Sequence, residues 1–125
     1  MTDAVDDRPV NLKAFGNLPA DAPVTMINLL RFHADGGFER YLQYAQEVQP
    51  HLDRVGGAVR YAGGSPHNII GDGEQPWWDA ILVVEYPSPQ AFVEMITDPG
   101  YQQVHAHRAA ALEPRAWPRI PSSSA

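Results

Sequence analysis

The sequence predicts an α+β domain whose elements run in the order β-α-β-β-α-β. Three observations carry this expectation. Val24–Phe32 is a short, almost continuously apolar run closed by a glycine-rich turn. Trp77–Tyr86 alternates cleanly between two faces. Two further stretches, around 38–55 and 89–112, place apolar residues every three or four positions between recognisable start and stop residues. A length of 125 residues with 44% hydrophobic and 19% charged side chains suits one globular domain with a real core.

In chain order, residues 1–22 show no sustained period and carry Pro9 and Pro19, so they are expected to form an extended N-terminal arm. The first strand, Val24–Phe32, would place Val24, Met26, Asn28, Leu30 and Phe32 on one face. Thr25, Ile27, Leu29 and Arg31 would take the other. A helix is expected over Phe38–Val55, with Phe38, Leu42, Ala45, Val48, Leu52 and Val55 as its inward stripe. Asp35 would start it, Gly56-Gly57 would stop it, and Pro50 would kink it near Gln46–Pro50.

A second strand follows over Ala58–Gly63, resuming near Asn68–Ile70, and Gly71-Asp72-Gly73 marks a tight turn. The third strand is Trp77–Tyr86, with Trp78, Ala80, Leu82, Val84 and Tyr86 on one face. Ser88-Pro89 and Asp98-Pro99 each pair a capping side chain with a proline suited to the first helical turn. They open a short helix to about Thr97 and a second over Gly100–Leu112. A last strand, Arg115–Ile120, carries Pro118 and so belongs at a sheet edge. The domain is thus expected to occupy 23–121, with a flexible tail at 122–125. Four antiparallel strands with the helices on one face form the ferredoxin-like, split βαβ arrangement. The other sheet face would lie bare and apolar, which makes a homodimer the expected assembly.

Composition excludes several functions. No cysteine means no disulfide, thiolate nucleophile or cysteine-ligated zinc, which suits a cytoplasmic setting. The net charge is −6, and the nine basic residues are scattered, with Lys13 the one lysine. Nucleic-acid binding needs a basic footprint, so no nucleic acid is expected as a partner. No apolar run reaches the roughly 18 residues of a membrane span, so no membrane association is expected either.

The strand VTMINLLRF, the GGAVRYAGG segment, IIGDG before WWDAILVVEYPS, and DPGYQQVHAHRAAAL together resemble the domain-of-unknown-function 1330 family over residues 23–121. That resemblance implies a ferredoxin-like fold pairing into a dimeric α/β barrel. It implies no particular reaction. The wider structural relatives include cofactor-free monooxygenases, small isomerases and haem proteins, and fold alone does not choose among them.

The most informative chemistry lies on the last helix. At about 100° per residue, Tyr101, Val104, His105, Arg108 and Leu112 share a stripe, whereas Gln103 and His107 point away. Histidine titrates near neutrality, so His105 is a candidate catalytic proton-transfer group, with Tyr101 beside it. The planar fork of Arg108 suits a carboxylate or enolate. The family motif instead matches Tyr101 and the His107-Arg108 pair, so which histidine matters stays open between His105 and His107. The structural alternative is a core Tyr101, a satisfied His105 and an ion-paired Arg108.

Asn28 is a carboxamide in an apolar strand, where an unpaired polar group costs roughly 1–3 kcal/mol, so it must find partners or orient a substrate. Arg31 at the strand end and Trp78 at the start of the third strand are the remaining substrate-binding candidates, each with a packing or ion-pair alternative. Asp79 and Glu85 lie about 20 Å apart along an extended strand, too far for an acid–base dyad, and each is expected to pair with an arginine such as Arg60 or Arg31 or to face the dimer partner. His105 and His107 diverge on their helix and the other histidines are isolated, so no metal site is expected, nor any other cofactor.

Two function classes remain: a metal-free enzyme acting by proton transfer or oxygenation on a small anionic or aromatic substrate, and a non-catalytic dimeric module that holds a metabolite or partner.

Overall fold

The computed structural model describes residues 15–113. Its strands are β1 (Val24–Leu30), β2 (Ala58–Gly64) and β3 (Ala80–Tyr86), and its helices are α1 (Gly37–Val55), α2 (Pro89–Ile96) and α3 (Pro99–Ala111). β3 lies between β1 and β2 and runs antiparallel to both. β1 and β2 are therefore parallel to each other, and α1 makes the crossover that such a pair requires. This is an α+β fold with the expected element order through α3. The anticipated fourth strand, Arg115–Ile120, lies outside the described residues. Near the end of those residues, Leu112 bridges antiparallel to Phe32, and Glu113 N donates to Arg31 O at 2.9 Å.

Local chemistry explains the helix ends. Ser88 Oγ accepts from Ala91 N at 3.2 Å and Asp98 Oδ2 accepts from Tyr101 N at 3.1 Å, each satisfying an orphan donor of a first turn. α1 is capped one residue later than Asp35 suggests, by Gly36, whose φ of 84° favours glycine. Gly37 is needed for contact rather than conformation: a Cβ there would meet Ala111 O at 2.6 Å, so a side chain would push α1 away from the end of α3. Gly56, at φ 81°, ends α1 by donating to the free carbonyls of Asp53 and Leu52. The helix continues through Pro50, an exposed position where the lost donor leaves the Gln46 carbonyl to water.

Register confirms the alternation read for the sheet. Val24 sits opposite Tyr86 and Leu30 opposite Ala80, so Met26, Asn28 and Leu30 share the helix-facing side with Leu82, Val84 and Tyr86. Leu30, Val84, Tyr86 and Met95 are buried in one core with Leu52, Tyr101 and Ala111. β2 shifts register between Val59 and Tyr61, which returns Tyr61 to the outer face beside Val83.

Three expectations are corrected. β3 starts at Ala80, not Trp77, because Asp79 wraps the end of β1: its N donates to Leu30 O at 2.7 Å and its Oδ2 accepts from Phe32 N at 2.9 Å. A side chain there takes the place of a ladder bond. Asn68–Ile70 forms no strand; it leads into the Gly71-Asp72-Gly73 turn, where Asp72 Oδ1 accepts from Glu74 N and Asn68 Nδ2. The inward stripe of α1 is Tyr41, Tyr44, Val48 and Leu52, while Phe38 and Leu42 stay about half exposed. Tyrosine rings offer large apolar area, and their hydroxyls find partners on α3, which turns the helix toward them. Among the described residues, no helix is long and apolar enough to cross a membrane.

Candidate functional site

The helices do not close down on the whole inner face of the sheet. An open cleft of about 1360 Å³ runs between the two layers, walled largely by apolar side chains such as Met26, Leu30, Leu82 and Val84 from the sheet and Val48 and Leu52 from α1. Phe38, Leu42 and Val59 also line it, and their partial exposure places them at its open side.

Polar groups converge on this cleft from three elements. β1 supplies Asn28, α1 supplies Tyr41 and Tyr44, and α3 supplies Tyr101, His105 and Arg108. Asn28 Nδ2 donates to Leu82 O on β3 at 3.2 Å, which turns Oδ1 toward α3, where it accepts from Arg108 Nη2 at 3.4 Å. The half-buried asparagine thus meets its hydrogen-bonding demand and orients the guanidinium. Tyr41 also hydrogen-bonds Arg108. The Tyr44 and Tyr101 hydroxyls lie 3.2 Å apart.

Burial raises the pKa of the Tyr41 hydroxyl, a rise that the Arg108 charge partly opposes. Burial, reinforced by Tyr101, lifts Tyr44 well above its ordinary value, and the same two causes raise Tyr86. Tyr41, Tyr44 and Tyr86 are therefore neutral hydroxyls at physiological pH, able to donate as well as accept.

The two histidines have different surroundings. His105 lines the cleft with its ring 5.9 Å from that of Tyr101. His107 lies in the seam between α3 and α1, where Nδ1 accepts from Arg40 Nε at 2.8 Å and Nε2 is 3.3 Å from Glu47 Oε1. These partners favour a proton on Nε2. Arg31 and Trp78 lie outside the lining: Arg31 donates to Trp77 O and is 3.9 Å from Glu113. Glu85 pairs with Arg60 at 2.7 Å, as expected, while Asp79 serves the Phe32 amide and lines the cleft. Among the described residues, no three metal-ligating side chains cluster.

Sequence reasoning missed Tyr41 and Tyr44. Their signal was present, since Tyr41, Tyr44, Val48, Leu52 and Val55 also follow three- and four-residue steps, beside the stripe begun by Phe38.

The profile of a family described as "Domain of unknown function (DUF1330)" matches residues 35–117. A protein of unknown function from Rhodopseudomonas palustris is 34% identical, with a TM-score of 0.70 over 85% of this chain and 88% of its own. The methylated form of that protein gives 35% identity and a TM-score of 0.71 over 90% of each chain. A protein from Bacteroides fragilis, described as dimeric, of unknown function and ferredoxin-like, is 15% identical with a TM-score of 0.50, over 76% of this chain and 91% of its own. That last likeness concerns the fold alone, and it is ferredoxin-like. No curated protein matches the chain.

Proposed function

The chain belongs to the domain-of-unknown-function 1330 family, and we propose that it binds a small anionic or aromatic molecule in the cleft between sheet and helices, as a homodimer joined across the outer sheet face. The observation that carries the ligand reading is the convergence of Arg108, Asn28 and Tyr41 at one place in an otherwise mainly apolar cleft. A concave apolar site with a few convergent polar groups is the usual form of a small-molecule pocket. Arg108 would hold the ligand's anionic group, and His105, on the same helix face, would exchange protons with it if the bound molecule reacts.

The dimer reading rests on the outer face. Ile27 and Tyr61 are 66% and 56% exposed there, beside Leu29, Ile81 and Val83. A second copy presenting the same patch would cover it across a twofold axis. The Bacteroides fragilis protein that shares the ferredoxin-like fold is described as dimeric, which supports a homodimer. Two sheets packed face to face in this way would form the α/β barrel.

A thermal-shift panel of small carboxylates, lactones, phenols and quinones, run on wild type beside Arg108→Ala, tests the ligand reading. A ligand at 100 times its dissociation constant stabilises by about 2.7 kcal/mol, a readily measured shift. Stabilisation by an anionic compound in wild type, lost in the variant, is the expected outcome. No shift with any compound would remove the cleft as a ligand site. Product formation with a pH dependence abolished by His105→Gln would separate an enzyme from a module that only binds.

A further inference from the structure

We infer that the cleft selects a monocarboxylate carrying an apolar body, a ring or a branched hydrocarbon, held by Arg108 at its carboxylate. This inference rests on the ligand reading above and narrows it to one chemical class. Charge decides the head group. Among the described residues that line the cleft, Arg108 is the one lysine or arginine, and the lining also contains the carboxylate of Asp79. A single guanidinium matches one planar carboxylate. A dicarboxylate or a phosphate ester would bring additional negative charge among apolar walls with no second lysine or arginine in that lining, where an unmatched charge is costly.

The geometry also fixes how Arg108 is presented. Asn28 is a positioning residue: Leu82 O holds its amide nitrogen at 3.2 Å, so its oxygen, and not a donor, faces Arg108 Nη2. Tyr41 hydrogen-bonds the same guanidinium from the helical layer. The plane of the fork is thereby set from the sheet and from α1 together, a preorganisation that flexible surface arginines lack. The body of the ligand follows from the walls. Met26 and Leu82 lie on the sheet side, Val48 on the helix side, and Phe38 and Leu42 flank the opening. Such surroundings favour a ring or branched hydrocarbon over a polar chain.

Calorimetric titration of the full chain with three matched probes tests this: 2-naphthoate, its neutral amide 2-naphthamide, and 2-naphthyl phosphate. The expected result is that 2-naphthoate binds at least tenfold more tightly than either of the others. In Asn28→Asp, which keeps the size of residue 28 but sets an anion against Arg108, naphthoate affinity should fall about tenfold while naphthamide affinity is unchanged. A purely structural asparagine would move both ligands together, and that result overturns its positioning role. Equal binding of the amide and the carboxylate by wild type overturns the carboxylate class while leaving the cleft as a ligand site. Tightest binding of the phosphate overturns the single-charge argument. Binding of none of the three overturns both this inference and the reading it rests on. The wild-type comparison decides the class even if the variant fails to fold.

Discussion

The two faces of the sheet are built from the same strands and differ in what covers them. On β1, Met26, Asn28 and Leu30 look inward and Thr25, Ile27 and Leu29 outward. The inner face meets the helices, buries Leu30 and Val84 almost completely, and accepts one carboxamide because Leu82 O and Arg108 satisfy it. Ile27 and Tyr61 on the outer face are mostly exposed, yet that face too carries an apolar patch, with Leu29, Ile81 and Val83 beside them. Apolar character therefore does not distinguish the faces. Polar convergence does: the inner face gathers groups that can handle charge, while the outer face holds only the Arg60–Glu85 pair among its described ion pairs. The proposed function follows this difference, with the first face as the site for a molecule and the second as the surface for another sheet.

The largest expected effect breaks the inner face. Leu30→Ala empties a position only 2% exposed and should cost about 2–5 kcal/mol in urea unfolding. A loss below about 1 kcal/mol would mean that the two layers are not packed as described. On the outer face, Ile27→Glu should leave the fold's circular dichroism unchanged and shift sedimentation from dimer to monomer. A wild-type protein that sediments as a monomer at high concentration would remove the outer-face interface.

Tyr44→Phe deletes the hydroxyl contact to Tyr101 and should cost about 1 kcal/mol, a typical net value for one hydrogen bond. It also sharpens the alkaline limb. Tyr41 and Tyr44 have pKa values raised by burial above the ordinary 10.0, so above pH 10 the folded state binds more protons than the unfolded chain. Their contribution is complete below pH 10 and is lost as pH rises further. Stability should fall beyond pH 10 in wild type, and less steeply in Tyr44→Phe. Parallel pH profiles would show that Tyr44 is not held protonated by burial.

Much of the fold was legible because it is written in neighbouring residues. Ser88-Pro89 and Asp98-Pro99 cap their helices through contacts three residues long. The alternation of β1 assigns its faces without knowledge of the partner strand. What escaped depends on elements meeting from afar. Either of two adjacent stripes on α1 satisfies a helical period, and the packing of α3 chooses Tyr41 and Tyr44. The strand-like pattern continues back through Trp77-Trp78, but Asp79 hydrogen-bonds around the end of β1 and β3 begins only after it. Arg108 and Asn28 were each visible as candidates. Their contact joins positions 80 residues apart, and so did not follow from either element alone. The helical face that sets His105 apart from His107 was readable, whereas the Arg40 and Glu47 partners of His107 required α1 in place.

The most direct test of the division between faces is an amide chemical-shift map of the protein titrated with 2-naphthoate. The largest changes are expected to cluster at Asn28, Tyr41, Leu82, His105 and Arg108, with Thr25, Ile27, Tyr61 and Val83 nearly unmoved. Changes centred on those outer residues, with the Arg108 region silent, would contradict that division.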